Sequence, residues 1–176
     1  MVPGLAGDLV RLAPIGDAGA VFSADQQHRY RRWRGWGDPE QRILFVMLNP
    51  STADELQLDP TVRRCVRFAQ RWGYGALAVG NIFSLRSTDP AALYGVVHDH
   101  QRHNWHLRRM AELAQLVIAA WGVHGAHQNR GAEVARILGR ARPLRCVGIT
   151  KGGHPRHPLY LPGDSTPVPF MGHGRG

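Results

Sequence analysis

The sequence predicts an α/β protein: a three-layer α/β/α arrangement with a central, mainly parallel four-stranded sheet and an N-terminal β-hairpin at its edge. Three observations carry that reading. Four apolar runs, ILFVML (43–48), ALAVGNIF (76–83), LVIAAW (116–121) and LRCVGIT (144–150), are bounded by turn residues, the pattern of strands covered on both faces. Helical segments alternate with them, as right-handed crossovers between parallel strands require. The length of 176 residues suits one domain with one site.

Residues 1–18 are rich in Gly, Pro and Ala, show little periodicity and read as a loosely held arm. Residues 20–22 and 30–36 read as the edge hairpin. Its second half, HRYRRWRGWG, interleaves Arg29, Arg31, Arg32 and Arg34 with Tyr30, Trp33 and Trp36. That composition suits backbone phosphates and stacked bases, or else structural aromatics with solvated arginines on a two-residue alternation.

After the first apolar run, Asp59-Pro60 is a helix start, with Asp as N-cap and Pro at the first helical position. Val62, Cys65, Val66 and Ala69 share one face; Arg64, Arg67 and Arg71 share another. A second such start at Asp89-Pro90 precedes a polar segment with His98, His100, His103 and His106, leading into a helix that ends near residue 115. The histidines lack metal-ligand spacing with a carboxylate or Cys, so the segment reads as a solvated helix start. A further helix over about 131–138 presents Val134, Ile137 and Leu138, and the Pro/Gly-rich tail from 163 to 176 reads as frayed.

Lys plus Arg number 22 against 13 for Asp plus Glu, a net charge of +9 that favours phosphate-rich partners, DNA or nucleotides above all. Nearly all of it is arginine; Lys151 is the one lysine. No run is long enough to span a bilayer and the start lacks a signal-peptide pattern. Cys65 and Cys146 have no paired spacing and sit among apolar neighbours, as buried thiols of a reducing cytoplasm do. A cytoplasmic protein without membrane contact is expected.

Each apolar run ends in a distinctive group: Asn49-Pro50, Asn81, Trp121-Gly122, and the stretch from Lys151 to His157. In open α/β sheets ligands bind outside the carboxyl ends of the strands, so parallel strands would bring these groups to one edge. Ser51, Thr52, Asp54 and Asp59 follow the first of them. Each also has a structural account: Asn-Pro-Ser-Thr turns the chain, Asp59 caps a helix, the asparagines and histidines satisfy loop backbone, and Gly152-Gly153 makes a tight turn.

On these motifs the chain resembles the uracil-DNA glycosylase superfamily. MLNPSTAD is similar to the Asn-Pro form of the turn that places the hydrolytic water, VGNIFSLR to the strand end whose Asn reads the base, AAWGVHG to a third strand ending in Trp-Gly, and GGHPRHPLYL to the His-Pro-x-Pro loop. The order and spacing hold over roughly residues 43–161. LNPSTAD, the Asp-Pro-Thr start and TKGGHPRHPLY also resemble a bacterial domain family with no assigned function.

The resemblance implies hydrolysis of the N-glycosidic bond of a modified or damaged base, as in DNA repair by base flipping. It implies no metal or cofactor, and the four iron-sulfur cysteines of some branches are absent. Asn49 stands where the most active members carry Asp; an amide orients water but does not accept its proton, so Asp54 or Asp59 would supply the carboxylate. Asn81 would read the base with Phe83 packed nearby, beside Ser51 and Thr52. Either His154 or His157 would stabilise the leaving base. Lys151, Arg156, Arg64 and Arg67 would meet the nucleic-acid backbone. Two rivals stand beside this expectation: a non-catalytic nucleic-acid-binding module on the same fold, suggested by the missing Asp, and an N-glycosidase of free nucleosides or nucleotides.

Overall fold

In the computed structural model, which describes residues 4–52 and 59–172, eight strands join in one mixed sheet. They are β1 (Leu9–Leu12), β2 (Ala18–Phe22), β3 (Arg29–Gly35), β4 (Arg42–Met47), β5 (Ala76–Asn81), β6 (Leu116–Ala119), β7 (Leu144–Cys146) and β8 (Val168–Pro169). Three α-helices accompany them: α1 (Pro60–Arg71), α2 (Gln101–Leu113) and α3 (Arg130–Gly139). The spatial order is β1-β2-β3-β5-β4-β6-β7-β8.

This corrects the expected fold class, a central four-stranded, mainly parallel sheet with a hairpin at its edge. Four of the seven strand pairings are antiparallel, and only those joining β5, β4, β6 and β7 are parallel. The presumed edge strand β3 lies inside the sheet, antiparallel to β5, with Arg32 opposite Val79 and Trp33 opposite Ala78.

The arginines explain the misreading. Alternating Arg and aromatic residues suggest a strand with one wet face, yet Arg29, Arg31 and Arg32 are only 3%, 6% and 3% exposed. Their long stems pack as apolar groups while their heads find partners. Arg32 Nη1 lies 3.5 Å from Asp59 Oδ2, and burial lowers the pKa of Arg31. Neither solvated arginines nor an open phosphate-binding face describes this strand.

Both chain ends add to the sheet. Part of the stretch read as a loose arm forms the edge strand β1, anchored by Asp8, whose buried carboxylate lies 2.7 Å from Arg102 Nη2 and 3.2 Å from His106 Nε2. The stretch read as a frayed tail contributes β8, and Phe170 packs edge-on to Trp121 at 5.7 Å.

β4 is covered on both sides. Ile43, Phe45 and Met47 pack with Val62, Cys65, Phe68 and Ala69 of α1. Leu44 and Val46 pack in a second core with Leu107 and Met110 of α2 and Val134 and Leu138 of α3. Full burial of such Val, Leu or Phe side chains contributes about 1.5–3 kcal/mol each, so the doubly covered strand anchors the domain. The Asp-Pro start fixes where α1 begins: Asp59 Oδ1 accepts from the Val62 N–H at 2.8 Å, with Pro60 in the first turn. No helix among the described residues is long and apolar enough to cross a membrane.

The histidine-rich segment is also corrected, since His103 and His106 are fully buried. The three-residue spacing of His103 and His106 puts them on one face of α2, and that face meets β3 and β5. His103 Nε2 donates to the Asn81 carbonyl at 2.6 Å, and the His106 ring stacks on Tyr30 at 4.7 Å. Burial pushes the pKa of His103 down to about 3 and that of His106 to about 4.

Both histidines therefore bind protons more readily in the unfolded chain, whose imidazoles keep the ordinary value of 6.5. Their stabilising share is complete above that pH and is lost as pH falls toward the folded values, at up to about 1.4 kcal/mol per pH unit for each group. The urea midpoint at about pH 5 is expected to lie below that at about pH 7. His103→Gln keeps a donor for Asn81 but does not titrate, so it should narrow that gap; an unchanged gap contradicts the burial account.

Candidate functional site

The carboxyl ends of β4, β5 and β6, with the loop after β7, surround a cavity of about 800 Å³. That volume falls within the range of small-molecule sites. Met47, Leu48, Val62, Trp121, Leu159 and Tyr160 give it apolar walls, while Asn49, Asp59, Asn81 and His157 bring polar groups to it.

Asn49 follows β4 in a turn that fixes its amide. Nδ2 donates to the Ser87 carbonyl at 2.9 Å and, more weakly, to the Pro50 carbonyl at 3.3 Å. Two carbonyl partners define that atom as the NH₂, which leaves Oδ1 as the acceptor not used by those bonds. Asn81 ends β5 and is 4% exposed. The backbone at Asn81 and Ile82 is held by three bonds. His103 bonds the Asn81 carbonyl, the Ile82 N–H continues the parallel ladder to Met47 O at 2.8 Å, and Arg130 Nε donates to Ile82 O at 2.7 Å.

Trp121 walls the cavity because the chain turns away sharply at Gly122, whose φ of +71° and ψ of −167° suit glycine almost alone. The Gly122 N–H donates to Pro155 O at 2.9 Å, tying the β6 exit to the loop after β7. Gly125 packs directly on the Trp121 indole, where a Cβ would overlap the ring.

The loop after β7 is a small hairpin. Ile149 and Pro155 form an antiparallel bridge, and the Thr150 N–H donates to His154 O at 2.9 Å. His157 then caps a 3-10 helix, Pro158–Tyr160, its Nδ1 accepting from the Leu159 N–H at 3.3 Å. An Nδ1 that accepts requires the neutral ring to carry its proton on Nε2. Burial lowers the pKa of His157, opposed by the Asp59 carboxylate, which favours the neutral form near pH 7.

Of the residues singled out in the sequence, Asn49, Ser51, Asp59, Asn81, Arg156 and His157 meet in this cavity. Ser51 Oγ is buried there with no hydrogen-bond partner among the described residues. Asp59 is already engaged, one oxygen capping α1 and the other facing Arg32. Asp54 lies outside the described residues.

Others stand apart. Phe83 is fully buried among His98, His100 and His127 and does not line the cavity. The Thr52 carbonyl accepts from Arg86 Nη2 at 3.3 Å, away from the lining. His154 sits in the hairpin, its N–H donating to Thr150 Oγ1 at 3.1 Å. Lys151 is exposed at the hairpin tip. Arg64 donates to the Leu161 carbonyl and lies over the Phe68 ring at 5.1 Å, whereas Arg67 is exposed on α1.

Sequence reasoning missed Arg29, Thr61, His124, Thr150 and Tyr160 as lining residues. Tyr160 lies within the HPRHPLY motif and was within reach; Arg29 was hidden by the alternation of β3. No group of three or more metal-ligating side chains is present among the described residues.

The family model for proteins of unknown function, DUF1643, matches residues 29–159, and no uracil-DNA glycosylase family model matches. This corrects the resemblance drawn from the four motifs. Asn-Pro and His-Pro turns at strand ends are short signals that different families share. No curated protein and no solved structure matches the chain. With most of its length covered, the chain belongs to the DUF1643 family.

Proposed function

We propose that this protein hydrolyses the N-glycosidic bond of an altered base in DNA, with the base held in the cavity at the strand ends. One observation supports the reading above others: an acceptor at Asn49, the amide of Asn81 and a neutral imidazole at His157 converge beside the aromatic wall of Trp121 and Tyr160. An apolar pocket with a few fixed polar groups suits a flat heterocycle with a polar edge. The Asn81 amide offers one donor and one acceptor side by side, as the lactam edge of a base requires.

In the proposed reaction the C1′–N bond breaks with its electron pair leaving on the base. Water oxygen bonds to C1′, and the proton it releases balances the charge of the departing base. Asn49 Oδ1 orients the water. The Nε2–H of His157 donates to the anion developing on the base, and a preorganised donor of this kind contributes about 2.7–4 kcal/mol. The Asp59 carboxylate favours the cationic sugar electrostatically without taking the proton.

The engagement of Asp59 also favours a second reading, a module that binds a base without releasing it. One of its oxygens caps α1 and the other faces Arg32, so the carboxylate is already held by the protein and is not presented to a substrate water.

The test uses end-labelled oligonucleotides carrying uracil, deaminated purines, hydroxymethylated pyrimidines or mismatches, with alkali to cleave abasic sites. Asn49→Ala should lower base release about 10²–10³-fold, the scale of one preorganised polar group, with DNA affinity within about twofold. Absence of abasic product from the wild type with every base, while binding persists, selects the second reading. Protonation of Nδ1 would break its bond from the Leu159 N–H and release the ring, and because burial lowers the His157 pKa, the resulting fall in release should lie on the acid side of the ordinary imidazole value. His157→Gln should remove that acid limb; an identical limb in the variant would assign the titration elsewhere.

A further inference from the structure

The cavity mouth carries a surface that extends beyond the groups assigned to the bond-breaking step. Tyr160 lines the cavity yet is 82% exposed. Tyr94 is 48% exposed, and its hydroxyl lies 3.1 Å from Nδ1 of His124, itself a lining residue. Exposed rings gathered at a cavity rim mark a contact surface.

Cations lie at the same rim and along the helix that starts there. Arg156 is exposed in the cavity wall and Lys151 is exposed at the neighbouring hairpin tip. Pro60 and Thr61, at the start of α1, line the cavity, and Arg63 and Arg67 are exposed one helical turn apart just beyond them. Asp59 is the one carboxylate among the described lining residues, and its charge is offset by Arg32. With Arg156 and Lys151 exposed and the one lining carboxylate offset, the rim complements a polyanion.

Ring faces add a second criterion. In a duplex each base is covered above and below by its neighbours, so an exposed tyrosine finds no partner without unstacking. In a single strand the faces are available, and sequence-tolerant stacking beside a basic track is how unpaired strands are held.

We propose that the cavity mouth and the first turns of α1 bind an unpaired polynucleotide strand, one base stacking on Tyr160 and the backbone meeting Arg156, Arg63 and Arg67. The inference rests on the reading that a base enters this cavity, and it narrows the substrate to single-stranded nucleic acid.

Fluorescence anisotropy with a labelled, unmodified polythymidine strand tests it against the same strand annealed to its complement. The single strand should bind at least about 10-fold more tightly, and Tyr160→Ala should weaken it about 5- to 100-fold while Tyr160→Phe stays within about twofold. Arg67→Gln should reduce the slope of log affinity against log salt by about 0.7, one phosphate contact on a single strand. Equal or tighter binding of the duplex overturns the proposal. So does a Tyr160→Ala variant that binds normally, or competition by inorganic polyphosphate as effective as competition by the unlabelled strand. No bond is cleaved in this assay. Strand preference without base release from any substrate overturns the hydrolase alone; base release from duplex without strand preference overturns this inference alone.

Discussion

The site depends on how the chain is held as it leaves β5. Asn81 and Ile82 present successive carbonyls, one bonded by His103 from α2 and the other by Arg130 beginning α3. Both side chains are fully buried. Arg130 further donates to Asn104 Oδ1 at 2.7 Å and to Glu133 Oε2 at 2.9 Å, so its desolvated head is surrounded by acceptors. Removing water from a guanidinium costs several kcal/mol, and only well-placed hydrogen bonds offset it. The clasp exists where two helices and the central strands meet, and it fixes the Asn81 backbone at the cavity wall.

The same balance governs the rest of the molecule's charge. An excess of arginine suggests a basic exterior, yet part of it lies inside, as Arg29, Arg31, Arg32 and Arg130 show. Buried arginines bind the sheet to its surroundings: Arg32 links β3 to the cap of α1 through Asp59. The cations left for an outside partner are fewer, and Arg156, Lys151 and Arg67 are among the exposed ones. Net charge alone therefore overstates the reach of this protein's field, and the position of the charge at the cavity rim matters more.

Much of the site was legible because strand ends carry local signals. A run of apolar residues closing on Asn-Pro, Asn or Trp-Gly marks the end of a buried strand, and Asn49, Asn81 and Trp121 meet in one cavity. The Asp-Pro cap of α1 was equally local. What stayed hidden is set by distant partners. Whether Arg31 is solvated or buried depends on α2, far along the chain, and the pairing of β3 with β5 rests on residues separated by a helix. His103 looked polar until the Asn81 carbonyl gave it a buried acceptor. Strands β1 and β8 are short, and their sequences carry no periodic pattern to distinguish them from loop. The family resemblance failed for a related reason: turn motifs describe how strands end more than what the ends do.

The central claim is that a base occupies the cavity between Asn81 and His157. A crystal structure with an oligonucleotide carrying a 2′-fluorinated nucleotide, whose glycosidic bond resists cleavage, tests it most directly. The account predicts the base inside the cavity, its polar edge within hydrogen-bond distance of the Asn81 amide and of His157 Nε2. An oligonucleotide bound elsewhere on the protein, with the cavity holding only solvent, would contradict it.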